Sequence, residues 1–161
     1  MDFPAGLLLL FALPLVVAGA EESADRIVVR KAKRELTLWR DGKVIRTYRV
    51  SLGRTPAGAK DREGDGKTPE GSYTISGRNR ASKFHLSLRI SYPERRDRER
   101  AAILQLPPGG DIMIHGLPNG QDSGEGYLGS DWTEGCIAVT NREIEEIWRL
   151  VPNGTPIRIE P

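Results

Sequence analysis

Cysteine is nearly absent from this chain: a single residue, Cys136, in 161. One thiol excludes an intramolecular disulfide, and it excludes any zinc site built on paired C-x-x-C ligands. Histidine is scarce too, with only His85 and His115. Cys136 and the two histidines form a poor metal-ligand set, because none is closely paired with another in sequence, so no metal and no cofactor is expected. Aromatic residues are few, at 6 %. Lys and Arg are scattered among acidic residues to a formal net charge of only +2, which lacks the clustered basic face of a nucleic-acid binder, so no nucleic-acid partner is expected. Internal repeats and low-complexity tracts are absent as well.

Long apolar runs are missing except at the start. Leu7 to Val17 is apolar apart from a proline and ends at Ala18-Gly19-Ala20, the small-x-small pattern of a signal-peptidase site. The run is shorter than the ~20 residues that a bilayer span needs. Residues 1–20 therefore read as a signal peptide and 21–161 as one exported domain, placed in the periplasm or cell envelope with no stable membrane span after cleavage. The first residues carry Asp2 and no Lys or Arg, which departs from the usual charged start.

The rest of the chain is rich in strand signals. Ile27-Val28-Val29, the alternation at Leu36 and Leu38, and Val44 to Val50 read as three strands, with Asp41-Gly42 as a hairpin turn. Residues 52–71 are dense in Gly, Pro and charge and read as loop. Strands resume at Tyr73 to Ile75, 84–92 and 111–115, and Asp97 to Leu104 has room for one or two helical turns. After a second Gly-rich loop, 116–131, a short apolar piece runs from Cys136 to Val139. Thr140 and Glu143 have capping-box spacing, and Ile144, Ile147, Trp148 and Val151 recur at helical spacing, so a helix is expected here. Thr155 to Ile159 closes as a strand. The reading is mostly β (α+β) with one helix in the C-terminal region.

A lone cysteine in an exported protein is a buried inert thiol, an intermolecular link or a nucleophile. Two segments bear on the choice: IHGLPNG at 114–120 and DWTEGCIAVTN at 131–141. Gly135 allows a tight turn before Cys136, and amide N–H groups beside Gly135 and Gly116 are candidates to hold an oxyanion. A thiol at its ordinary pKa needs a base, and His115 is the candidate. Read alone, these pairs also fit a buried structural cysteine and a packed histidine.

Taken together, His115-Gly116 and Thr133-Glu134-Gly135-Cys136 resemble the mark of the YkuD-type L,D-transpeptidases. The likeness extends to VVRKAKRELTLW, to VSLGRTPAGAKDREGDGKTPEGSYTI and to the closing GTPIRI. It implies a β-sandwich-like fold with Cys136 as nucleophile and His115 as general base and acid. The implied substrates are peptidoglycan stem peptides, attacked at the third residue, usually meso-diaminopimelate, with the fourth expelled. An amine on another stem or an envelope lipoprotein then accepts the acyl group, and water in its place gives a carboxypeptidase or amidase. Two positions depart from the common pattern: Glu134 stands where many members have His, and Ala138 where many have Arg. DWTEGCIAVTN with SKFHLSLRISYP is similar to a branch credited with hydrolysing the link between peptidoglycan and an envelope protein. Thr133, Trp132, His85, Arg89 and Arg78 are the further candidates for substrate contact.

Overall fold

The computed structural model describes residues 22–161; the segment read as a signal peptide lies outside them. Eight strands and two helices follow in chain order among the described residues: β1 (Arg26–Arg30), β2 (Glu35–Arg40), β3 (Lys43–Arg49), β4 (Gly71–Ser82), β5 (His85–Ile90), α1 (Arg95–Ile103), β6 (Met113–His115), β7 (Ile137–Ala138), α2 (Asn141–Leu150) and β8 (Pro156–Glu160). The mostly β, α+β expectation holds. No helix among the described residues is long and apolar enough to cross a membrane.

The turn between β2 and β3 has the predicted chemistry, with positive φ at both Asp41 (49°) and Gly42 (76°), the twist-matched hairpin conformation. β1 pairs antiparallel with β2 and parallel with β8. Strand alternation then aligns Ile27 and Val29 with Leu38, Leu36, Ile157 and Ile159, all buried on one face. β4 is far longer than Tyr73 to Ile75 because its polar second half, SGRNRAS, is held by ladder hydrogen bonds rather than by burial. Its first residues pair with β8 and its later ones with β5, across two register shifts. One strand thereby carries the sheet from one layer to the other.

The strand order is β3-β2-β1-β8-β4-β5-β6-β7. Its two ends meet. Ser51, just past β3, exchanges two backbone hydrogen bonds of 2.9 Å with Ala138 of β7, and Gly53 bridges Thr133. The sheet is thus curled round a single core that includes Leu38, Ile75, Leu88 and Ile114, and α2 adds Ile144 and Ile147.

α2 begins as its sequence predicts: Thr140 Oγ1 accepts from Glu143 N (3.2 Å), and Glu143 Oε2 accepts from Thr140 N (2.8 Å). α1 is a second full helix where only a turn or two was expected. It has no apolar stripe, burying just Asp97 and Ala101. Asp97 anchors it by accepting from Glu94 N (2.8 Å) and from the Tyr73 hydroxyl (3.1 Å), a tertiary contact with no local sequence signature.

Candidate active site

The parallel β6–β7 register pairs Ile114 with Ile137 and His115 with Ala138. Cys136, immediately before β7, therefore falls opposite Met113, and strand alternation turns Cys136, Met113 and His115 to the same face, away from buried Ile114 and Ile137. The diagonal between the Cys136 and His115 backbones is roughly 8 Å from strand geometry, a gap their side chains can close between them. The antiparallel β5–β6 register, Ser87 with His115 and Arg89 with Met113, adds Ser87 and Arg89 to that face.

His115 is almost wholly enclosed, with 2 % of its surface exposed. Phe84 stacks on its ring at 4.4 Å between centroids, and Trp132 meets it edge-on at 5.7 Å. Its Nδ1 lies 2.7 Å from the Gly116 carbonyl oxygen, which can only accept, so Nδ1 carries the proton. Nε2 is left with a lone pair. Burial also holds the His115 pKa below its ordinary value, so the neutral imidazole prevails at neutral pH.

Burial pushes the Cys136 thiol pKa upward from about 9.0; the Met113 N–H at the sulfur and Lys60 counteract this, while Asp111 adds to it. The S–H donates to the Asp111 carbonyl oxygen at 3.5 Å. Resting sulfur and imidazole are therefore both neutral rather than an ion pair. The negative neighbour that matters is Asp111. Glu134, one of the two departures from the common pattern, is paired with Arg54 at 2.6 Å, both side chains open to solvent.

The turn before Cys136 is braced from both sides. Asp131 accepts from Arg34 Nη2 (2.7 Å) and from Leu52 N (3.0 Å). Thr133 Oγ1 donates to the Cys136 carbonyl (2.7 Å) and accepts from Gly135 N (3.1 Å). Thr133 is thus an internal strut with 4 % exposure rather than a substrate contact. Trp132 likewise packs, between His115 and Tyr127. Both glycine amides expected to be free are committed, Gly135 N to Thr133 and Gly116 N to the Phe84 and Leu86 carbonyls. The unengaged amide at the turn is that of Cys136 itself, which has no hydrogen-bond partner among the described residues.

Gly135 has φ 130°, and a Cβ there meets the Lys67 carbonyl oxygen at 2.6 Å. Gly135→Ala is expected to lower stability by about 2–3 kcal/mol and to displace the thiol, read by urea denaturation and by the rate of cysteine alkylation. An unchanged denaturation midpoint with unchanged alkylation refutes this.

The loop behind that carbonyl is ordered by a nearly buried ion pair, Lys60 Nζ to Asp65 Oδ1 at 2.8 Å. Burial alone raises the Asp65 pKa, but Lys60 and the backbone N–H groups of Lys67, Asp61 and Arg62 outweigh it and hold it at about 2. A depressed carboxylate stabilises the fold above its unfolded value, near 3.8, and that contribution is lost as pH falls from there through the folded value. Wild type is expected to lose melting temperature steeply between about pH 4 and 2. Asp65→Asn is expected to cost about 3 kcal/mol at neutral pH, by leaving Lys60 buried and unpaired, and to flatten that acid limb. Parallel pH profiles for the two proteins refute the assignment.

The remaining candidates separate by face. Arg89 lies on the cysteine face, paired with Asp111 (Nη2 to Oδ1, 3.2 Å). Arg78 points the opposite way: it donates to the Trp148 carbonyl at the end of α2 and lies over the Trp148 ring at 4.2 Å. A register shift between Ile75 and Gly77 sets this parity, so Arg78 caps a helix rather than contacting substrate. His85 has φ 66°, leaves the strand alternation and bonds Glu145 of α2 at 2.7 Å through Nε2. Sequence reading missed Asp111, Met113, Phe84 and Lys60, although Phe84 stands within a segment that carried the family likeness.

Residues 24–159 match the family model described as YkuD, L,D-transpeptidase catalytic domain. YafK of Escherichia coli (strain K12) is 29 % identical over 111 residues, 67 % of this chain and 37 % of that protein. Among solved structures, the helical cell shape determining protein Pgp2 of Campylobacter jejuni superposes with a TM-score of 0.63 at 24 % identity, over 87 % of this chain and 48 % of that one. An L,D-transpeptidase of Xylanimonas cellulosilytica does so with a TM-score of 0.56 at 17 % identity, over 86 % and 61 %. The chain spans little more than a third of YafK and about half of Pgp2.

Proposed function

The chain belongs to the YkuD family of L,D-transpeptidase catalytic domains, and from that premise we propose that it is a cysteine acyltransferase of peptidoglycan stem peptides, working in the cell envelope with Cys136 as nucleophile and His115 as base. The observation that carries this reading is the fixed tautomer of His115. With Nδ1–H committed to Gly116, the free Nε2 lone pair belongs to the same sheet face as the thiol.

Because both groups rest neutral, the proton leaves sulfur for Nε2 as the sulfur attacks the acyl carbonyl. The oxyanion of the tetrahedral intermediate faces the unengaged Cys136 N–H. Collapse breaks the C–N bond, and the departing amine of the fourth residue takes the proton back from His115. In the second half, an acceptor amine gives its proton to Nε2 and attacks the thioester. The thiolate departs and is reprotonated, leaving a new amide. Trp132 and Phe84 keep water from the imidazole during both halves.

Hydrolysis is the second reading, and Ala138 favours it. Ala138 is 3 % exposed at the end of a cavity of about 180 Å³ lined by Arg49, Ser51, Thr140 and Glu143. Without an arginine at that position, an acceptor carboxylate loses a bidentate partner, and the amine loses part of its advantage over water. Single-turnover reactions of a tetrapeptide donor with excess acceptor amine measure the partition. Crosslinked product is expected to dominate, with hydrolysis as a sizeable second product. Hydrolysis alone at saturating acceptor overturns the transferase assignment.

A further inference from the structure

We propose that the turn at the end of α1, residues 102–107, docks onto an anionic phospholipid surface, its apolar side chains entering the lipid while nearby arginines meet the headgroups. Lipid binding is measured without turnover, so the inference stands or falls independently of the acyl-transfer reading.

Ala102 to Pro107, AILQLP, are exposed without a break. Ile103 is 82 % exposed, Leu104 49 % and Leu106 43 %, so three of the five large apolar side chains open to solvent among the described residues stand together here. Single exposed apolar residues are ordinary, whereas a contiguous group marks a contact surface. The fold holds this group out. Leu104 N and Leu106 N both donate to the Ala101 carbonyl at 3.1 Å, Glu63 N donates to the Pro107 carbonyl (2.8 Å), and the Tyr92 hydroxyl donates to that of Pro108 (2.7 Å). Gln105 turns the chain with a left-handed backbone, φ 54°.

Charge selects the partner. α1 carries Arg95, Arg96, Arg98 and Arg100, and the bond from Glu63 to Pro107 brings Arg62 beside the same turn. Arg62 and Arg98 make no ion pair among the described residues, and their guanidinium groups donate only to the Glu63 and Pro93 carbonyls. Most carboxylates nearby are already engaged: Glu99 by Arg95 (2.6 Å), Asp61 by Lys67 (3.6 Å) and Arg100 (3.8 Å), and Asp97 by the Tyr73 hydroxyl. Against the arginines only Glu63 stays open at this end among the described residues. Helical rise puts Arg100 and Arg98 roughly 6 to 9 Å above Leu104 along the axis, which matches the ~5–10 Å to which surface-bound apolar side chains enter a bilayer. Lipid phosphates then lie level with the guanidinium groups. A second copy of the chain fits less well, because three side chains fall far short of the ~20–30 residues a side of a stable protein interface.

The turn also adjoins the candidate site. The chain from Leu106 to Asp111 spans at most ~18 Å when extended, and the Asp111 carbonyl accepts from the thiol. Docking therefore holds Cys136 within roughly 20 Å of the headgroups. On the acyl-transfer reading this favours stem peptides nearest the membrane.

Residues 22–161, which hold the whole described core and leave out the apolar run at the start, test the proposal. They are sedimented with vesicles of phosphatidylglycerol and phosphatidylcholine in equal parts, and with vesicles of phosphatidylcholine alone. Wild type is expected to bind the anionic vesicles at least about tenfold more tightly, and Arg98→Gln to lose about fivefold, the effect of one cation near such a surface. Ile103→Ser combined with Leu104→Ser removes apolar surface without changing charge and is expected to weaken binding about tenfold or more, with an unchanged melting temperature. Wild type left in solution by both vesicles overturns the proposal, and so does equal binding to the two. Full binding by the double serine variant shows that the turn is not the contact. Arg98→Gln bound as tightly as wild type overturns the headgroup contact, a result that holds even where the serine variant melts early. Self-association in ultracentrifugation that the serine variant abolishes, without vesicle binding, assigns the turn to a second copy and overturns lipid docking.

Discussion

Cys136→Ala is expected to abolish turnover of stem peptides, and Cys136→Ser to retain less than about a thousandth of the wild-type rate, with both proteins folding normally. A serine hydroxyl in the same place faces the same base but ionises far less readily than a thiol already held above its usual range by burial. Stability is expected to change by less than about 1 kcal/mol, because the sulfur is held only by weak contacts, a 3.5 Å hydrogen bond to the Asp111 carbonyl and the Met113 N–H. Muropeptide analysis by mass spectrometry gives the rates, and thermal melting reports the fold. Cys136→Ser working at near wild-type rate means that the nucleophile lies elsewhere.

His115→Gln is expected to lower turnover by about 10²–10⁴-fold and to change the pH dependence of thiol alkylation. In the proposed mechanism the wild-type base is neutral Nε2. Because burial lowers the His115 pKa from 6.5, that form persists below neutral pH, so reactivity is already present at pH 7. Without the base, alkylation follows ionisation of the thiol alone, and since that pKa is raised from about 9.0 the rate rises only in the alkaline range. Glutamine preserves most of the volume between Phe84 and Trp132, whereas His115→Ala leaves a cavity there and confounds chemistry with packing. Alkylation profiles that coincide across about pH 6 to 9 show that His115 does not activate the thiol.

Both experiments concern side chains that short sequence motifs identify. Gly135-Cys136 and His115-Gly116 were legible because reactive residues flanked by glycine in the order of a known family form a local signature. The β2–β3 hairpin and α2 were legible for a similar reason, since turn residues and capping boxes act over a few neighbours. Contacts between distant segments left no such trace. The Thr133 hydroxyl and the amides of Gly135 and Gly116 looked available for substrate or an oxyanion until their partners were known.

Two arginines on adjacent strands show how far this dependence on partners goes. Arg78 and Arg89 were equal candidates in the sequence, yet one caps α2 and the other lies on the face of Cys136. Alternation sends successive residues to opposite faces, so a register shift in β4 decides the face of Arg78, while Arg89 falls opposite the buried Leu88 and Ile90 of β5. The amino-acid sequence by itself determined the mostly β class, the hairpin, the capped helix and the identity of the candidate nucleophile and base. Tertiary structure alone decided which amides remain free, which charges face the sulfur and how the Ser51–Ala138 bridge closes the sheet. Those outcomes depend on hydrogen bonds and strand register between residues far apart in the chain, which no local pattern encodes.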